Sequence, residues 1–165
     1  MGYALIILLA AVWVILVYNK ALKWKLKVES SLNQIDVQLK AKAEKIPKLV
    51  ETAKKYADFE LEIYEKTAVS RLQLIRAVSV EDAVKIDDNL NENIDKIFLL
   101  TEKYNKMKCD KAFKELQKQI REIENKISMY RQYYNDTIKL NNKYIQSFPN
   151  NIILKIFGFK EKGCL

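Results

Sequence analysis

Apolar residues recur every three or four positions along most of this chain, but at the start they run together. From Tyr3 to Tyr18 no side chain is charged, and Ala4 to Val17 is apolar throughout. As a helix this run is about 24 Å long, a little short of the roughly 30 Å hydrocarbon core of a bilayer. Tyr18, Ala21, Leu22 and Trp24 can extend it. Farther on, Leu32, Ile35, Leu39, Ala43, Ile46, Val50, Ala53, Ala57, Ile63 and Thr67 step mostly by three or four, the mark of an amphipathic helix packing by heptads. A third series runs through Ala83, Ile86, Leu90, Ile94, Ile97, Thr101 and Tyr104. A fourth spans about 110–147, from Phe113, Leu116, Ile120, Ile123 and Ile127 through Tyr130, Tyr134, Ile138, Asn141 and Ile145 to Phe148.

The punctuation between these series sets the architecture. Pro47 sits inside the first stripe, which crosses it without losing phase, so the spacing predicts a kink in one long helix. A full break at Pro47 is the alternative. Ser79 followed by Asp82 reads as a helix start, and Asp110 suits the cap of the last long helix. Pro149 ends that helix, and Asn150–Asn151 begin a short apolar segment bearing Ile152, Ile153, Ile156, Phe157 and Phe159. Short connections make neighbouring helices antiparallel. The predicted fold is all-α: an N-terminal transmembrane helix continuing into an antiparallel up-down bundle of three long helices, the first kinked at Pro47, plus a short C-terminal helix. A break at Pro47 would give four helices and return Phe148–Phe159 to the membrane surface, whereas the kink leaves that segment at the far end. The predicted division is 1–27 for the anchor with its basic collar and 28–165 for the bundle.

Composition agrees. Among 165 residues there are 3 Gly and 2 Pro, too few for strands joined by tight turns. Tyr3, Trp13, Tyr18 and Trp24 are aromatic anchors for the span, the last two suited to the headgroup level. Lys20, Lys23, Lys25 and Lys27 follow it with no acid among them, which puts the C-terminal side in the cytoplasm by the positive-inside rule. The absence of a basic stretch before the run, or of a small-residue cleavage site after it, favours a retained anchor over a signal peptide.

Candidate chemistry is sparse. The chain has no His, which excludes Ser-His-Asp and Cys-His catalysis and the Glu-x-x-His pairs of di-metal bundles. Cys109 and Cys164 cannot by themselves fill a zinc site, and no Gly-rich phosphate loop is present. Glu51, Glu60 and Glu124 are carboxylates on helices, expected to be solvated. No catalytic residue, cofactor or metal is expected. The formal charge is +8, but Lys alternates with Glu along the helices, so no nucleic-acid face is expected. Glu124, Arg131 and Asn135 fall on one helix side; an inter-helix polar network, with Arg131 meeting Glu60 or Asp36, competes with a partner-binding patch.

Three stretches carry a family likeness. "IDVQLKAKAEKIPKLVETAKKYADFE" at 35–60 contains Ile35-Asp36-Val37-Gln38-Leu39 and Ile46-Pro47-Lys48-Leu49-Val50. "LQKQIREIENKISMYRQYYNDTIKLNN" at 116–142 holds Glu124, Arg131 and Asn135. "QSFPNNIILKIFGFK" at 146–160 holds Phe148-Pro149 and Phe157-Gly158-Phe159. Together these resemble the LemA family of bacterial membrane-anchored proteins. The family often has two arginines where this chain has Lys42-Ala43, and a histidine before the glutamate where it has Phe59-Glu60. The resemblance implies an all-helical domain behind one transmembrane helix in the bacterial inner membrane, and supplies no reaction. The expected function is a non-enzymatic, self-associating scaffold or membrane organiser on the cytoplasmic face. The alternative is an adaptor of a membrane enzyme such as a metallopeptidase, since some relatives are encoded near such enzymes. The expected partners are the lipid bilayer, further copies of the chain, and another membrane protein.

Overall fold

The computed structural model describes residues 2–165, and among these every regular element is a helix. Six helices follow in order: α1 (Gly2–Lys54), α2 (Leu61–Ile75), α3 (Val80–Lys103), α4 (Asn105–Cys109), α5 (Lys111–Gln146) and α6 (Asn150–Ile156). They form two compact units. One is Met1–Asn33 with Arg131–Leu165, and the other is Gln34–Tyr130.

In the unit 34–130, the apolar stripes meet as a common core. Ile35, Leu39, Ala43, Ile46, Leu49 and Ala53 of α1 are buried, as are Leu90, Ile94 and Ile97 of α3 and Phe113, Leu116, Ile120 and Ile127 of α5. The rings of Phe98 and Phe113 pack edge to face with centroids 6.2 Å apart, a favoured aromatic geometry.

Pro47 lies inside α1, and the helix continues past it to Lys54. A proline has no N–H, so the carbonyl four residues back, that of Ala43, loses its helical donor. The Arg71 side chain of α2 takes its place, donating from Nε to the Ala43 oxygen at 2.7 Å. The acceptor that proline frees becomes a cross-helix tie.

The expected single helix running on from Pro47 through Thr67 is corrected. The chain breaks at 55–60, neither kinking into one rod nor breaking at Pro47, and α2 begins afresh at Leu61. Side chains hold the break. Tyr64 Oη donates to the Ala57 carbonyl at 2.9 Å, and Tyr56 Oη donates to Asp110 Oδ2 at 2.5 Å. Backbone turns from Tyr56 and Ala57 N–H to the Ala53 carbonyl close the helix end. The stripe carries the mark of this break: Ala57 to Ile63 is a step of six, a loss of phase that helical spacing cannot absorb.

The predicted caps form. Ser79 Oγ accepts from the Asp82 N–H at 3.1 Å at the start of α3. Asp110 Oδ1 accepts from the Phe113 N–H at 2.9 Å at the start of α5. Each satisfies one of the orphan donors of a helix N-terminus.

In the other unit, Val17 and Ala21 of α1 pack with Ile145 of α5 and Leu154 of α6. Tyr144 Oη donates to the Val17 carbonyl at 3.3 Å. The turn after α6 is a Schellman motif. The Phe159 N–H donates to the Leu154 carbonyl at 3.0 Å and the Gly158 N–H to the Lys155 carbonyl at 3.1 Å. Gly158 takes φ +74°, the left-handed conformation this motif requires and glycine adopts without a Cβ penalty. Phe159 then returns onto the Leu154 cluster.

Candidate functional site

The apolar opening of α1 is exposed rather than packed. Its most apolar 18-residue window has a mean hydropathy of 2.3 with 11% of it buried, so it is long and apolar enough to cross a membrane. A core helix would bury such a window. Tyr3, Trp13 and Tyr18 lie on this exposed surface.

At the end of the run the helix changes character. Lys20, Lys23 and Lys25 are exposed and Trp24 is half-buried. The Lys20 ammonium sits 5.1 Å from the centre of the Tyr144 ring, and Lys27 sits 4.7 Å from that of Trp24, both within cation–π reach. The tail folds back onto this segment. Tyr18 meets the rings of Phe157 and Phe159 edge-on, with centroids 5.2 and 5.8 Å away. Burial raises the Tyr144 hydroxyl above the ordinary tyrosine range. Phe148 and Pro149, joined by a cis peptide bond, stand exposed before α6.

A second polar constellation lies in the unit 34–130. The Lys42 ammonium is fully buried, 2.8 Å from Asp87 Oδ1 and 3.4 Å from Glu124 Oε1, and it also donates to Asn91 Oδ1. Asn91 in turn reaches Asp87 Oδ2 at 3.4 Å. Burial raises the Glu124 carboxyl above the ordinary range, with Lys42 opposing. The arrangement joins α1, α3 and α5 by one cation and two carboxylates. Every charge has an opposite charge against it, as a buried ion pair requires.

The other singled-out residues separate into tied and exposed positions. Asp36 pairs with Lys40 at 2.5 Å on the same helix. Glu60 pairs with Lys103 at 2.6 Å, which holds its carboxyl below the ordinary range. Asn135 clasps the backbone of Leu165, donating to its oxygen at 3.1 Å and accepting from its N–H at 2.9 Å. Leu49 is buried in the core, while Gln38 and Arg131 are half-buried and Pro47 is exposed. The expected network of Glu124 with Arg131 and Asn135, reaching Glu60 or Asp36, is replaced for Glu124 by one with Lys42 and Asp87. Sequence reasoning missed both, although spacing marked them. Lys42 lies three after Leu39 and four before Ile46, Asp87 four after Ala83 and three before Leu90, and Glu124 four after Ile120 and three before Ile127. All three occupy seam positions. Among the described residues no cluster of His, Cys, Asp and Glu could hold a metal ion.

Among curated proteins, no sequence matches the chain. The sequence pattern of the LemA family matches residues 31–165, from the end of the basic collar through the buried seam, the charge cluster and the returning tail. The chain belongs to the LemA family.

Proposed function

We propose that this LemA-family chain is a non-enzymatic, single-pass membrane protein of the bacterial inner membrane. In this reading its N-terminus lies outside and its helical part in the cytoplasm, where copies associate into a scaffold that holds or shapes membrane. The basic collar after the apolar run supports the orientation. The short connections at 55–60, 76–79 and 104–110 support an antiparallel up-down arrangement of the helices. The charged residues of the seam are paired with one another across three helices, which supports a structural rather than a chemical role for them.

One observation carries the association. The outer side of α2 and the turn after it bear Val69, Leu72, Ile75 and Val78, which are 53%, 46%, 53% and 97% exposed. Isolated exposed apolar residues are ordinary, but a row of them marks an interaction surface. Its occupant in this proposal is the same surface of a second copy, an isologous contact. The test is native mass measurement of the full chain in nanodiscs, with and without Leu72→Glu. An oligomer that the substitution dissociates is expected. A strict monomer overturns the scaffold. One other membrane protein retained in fixed ratio from native membranes, and lost with Leu72→Glu, would establish an adaptor instead.

A further inference from the structure

Segment 148–162 places apolar side chains beside the membrane exit of α1 with nothing in the fold to cover them. Leu154 turns inward and is fully buried against Val17 and Ala21, so α6 is fixed at the level where the apolar run ends. Its opposite side carries Ile152 and Ile156, one turn apart, which are 56% and 78% exposed, and Phe148 just before the helix is 81% exposed. Following α6 in the chain, Phe157 joins Tyr18 and Leu22 in lining a groove of about 480 Å³ that is also lined by Lys25, Lys160 and Lys162, with the acid Glu161 among them. Around the exit, Lys20, Lys23, Lys25, Lys27, Lys155, Lys160 and Lys162 face solvent, against the acids Glu29 and Glu161.

We infer that the C-terminal segment is a second membrane-contacting element. The outer side of α6 embeds at the boundary between headgroups and acyl chains, and the lysine-lined groove receives the headgroup of an anionic phospholipid of the same leaflet. The inference rests on the membrane-anchored reading of α1 but not on self-association. Two features select a bilayer over a protein partner. Phe157, which directly follows Ile156 and is itself half exposed, packs on Tyr18 at the end of the exposed apolar span. The groove also combines apolar side chains with three lysines against one acid, the two kinds of contact that acyl chains and phosphates offer. Short amphipathic elements with Phe, Ile and Lys lie in the interface plane in this way, and basic pockets at helix exits collect anionic headgroups.

Depth measurement by nitroxide relaxation tests it. Single labels are placed by Leu9→Cys, Ile156→Cys or Gln132→Cys on the full chain, with the two exposed cysteines Cys109 and Cys164 replaced by serine. The chain is reconstituted in nanodiscs of mixed phosphatidylglycerol and phosphatidylcholine. Gln132 precedes Ile145 on α5 by about 20 Å of helix and serves as the aqueous reference. The expected result is a deep label at 9, an aqueous label at 132, and a label at 156 at or below the phosphates. Native mass spectrometry should find phosphatidylglycerol enriched among retained lipids by about fivefold, the factor a single juxtamembrane lysine supplies, and Lys160→Gln/Lys162→Gln should abolish that enrichment. An aqueous label at 156 with a deep label at 9 overturns the inference and leaves the anchor standing. An aqueous label at 9 overturns both. A label at 156 hidden from lipid and water, with dipolar coupling between copies, assigns the surface to a second chain and overturns the inference.

Discussion

Arg71 donates from Nε to the carbonyl oxygen of Ala43 at 2.7 Å, and that oxygen is the one Pro47 leaves without a helical donor. The proline is thus kept in a helix where its cost is offset from outside. Arg71→Leu leaves a buried carbonyl unpaired and should destabilise by about 1–3 kcal/mol. In a Pro47→Ala background the restored amide reclaims the carbonyl, and the same Arg71 substitution should cost much less. Urea midpoints of the four variants give the coupling; additive effects would show that the two residues act separately.

Lys42 is fully buried, and Asp87 is 3% exposed beside it. Asp87→Leu alone leaves the ammonium with the neutral Asn91 and one more distant carboxylate, Glu124, and should cost about 3–5 kcal/mol. The triple variant Lys42→Met/Asp87→Leu/Glu124→Gln, which also removes the carboxylate that Lys42 pairs, should recover most of that loss, because well-packed neutral replacements of a buried charge cluster are often neutral or better. Equal instability of the single and triple variants would contradict this.

Gly158→Val forces a β-branched residue into φ +74° and should loosen the tail, at about 1–2 kcal/mol. Leu154→Ala removes the side chain that fixes α6 to Val17 and Ala21. Hydrogen exchange should quicken over 147–160 in both variants while the unit 34–130 keeps its protection.

Stability should fall at both ends of the pH scale. The Tyr56 hydroxyl and the Phe113 amide hold the Asp110 carboxyl below its ordinary range, and Lys103 does the same for Glu60. Their contributions are present above the ordinary carboxylate value of about 4 and are lost as pH falls through the lower folded values. Glu124, raised by burial, contributes in the opposite sense, losing stability as pH rises from its ordinary to its folded value. Burial pushes the Tyr64 hydroxyl up to about 12, so stability should decline as pH rises from about 10. Asp110→Asn should flatten the acid limb and Tyr64→Phe the alkaline limb in pH-dependent melting.

Residues whose structure is set by local chemistry were legible in the sequence. Ser79 and Asp110 cap as their side chains dictate, and the stripes in α1, α3 and α5 are buried nearly position by position, because helical period alone decides which side faces a core. The break at 55–60 contains neither Gly nor Pro, so the six-residue step from Ala57 to Ile63 is its one trace in the stripe. It is held by Tyr56 and Tyr64 reaching Asp110 and Ala57, the first of them across 54 residues. Lys42 with Asp87 was hidden for a similar reason: a charge on a stripe reads as a flaw until its partner, 45 positions away, is known. Of the candidate site, the span and its collar were plain from composition. The return of Phe157 and Phe159 to Tyr18 depends on the route of the whole chain.

The charged trio also fixes how long the helices are. A purely apolar seam tolerates insertion of whole heptads, since the pattern resumes after seven residues. Here, a heptad added to α3 just before Asp87 would slide that carboxylate about 10 Å along the axis, leaving the buried Lys42 with Glu124 alone. Lengthening or shortening these helices by repeat units is therefore possible only outside the layer containing Lys42, Asp87 and Glu124, which acts as the molecule's built-in ruler.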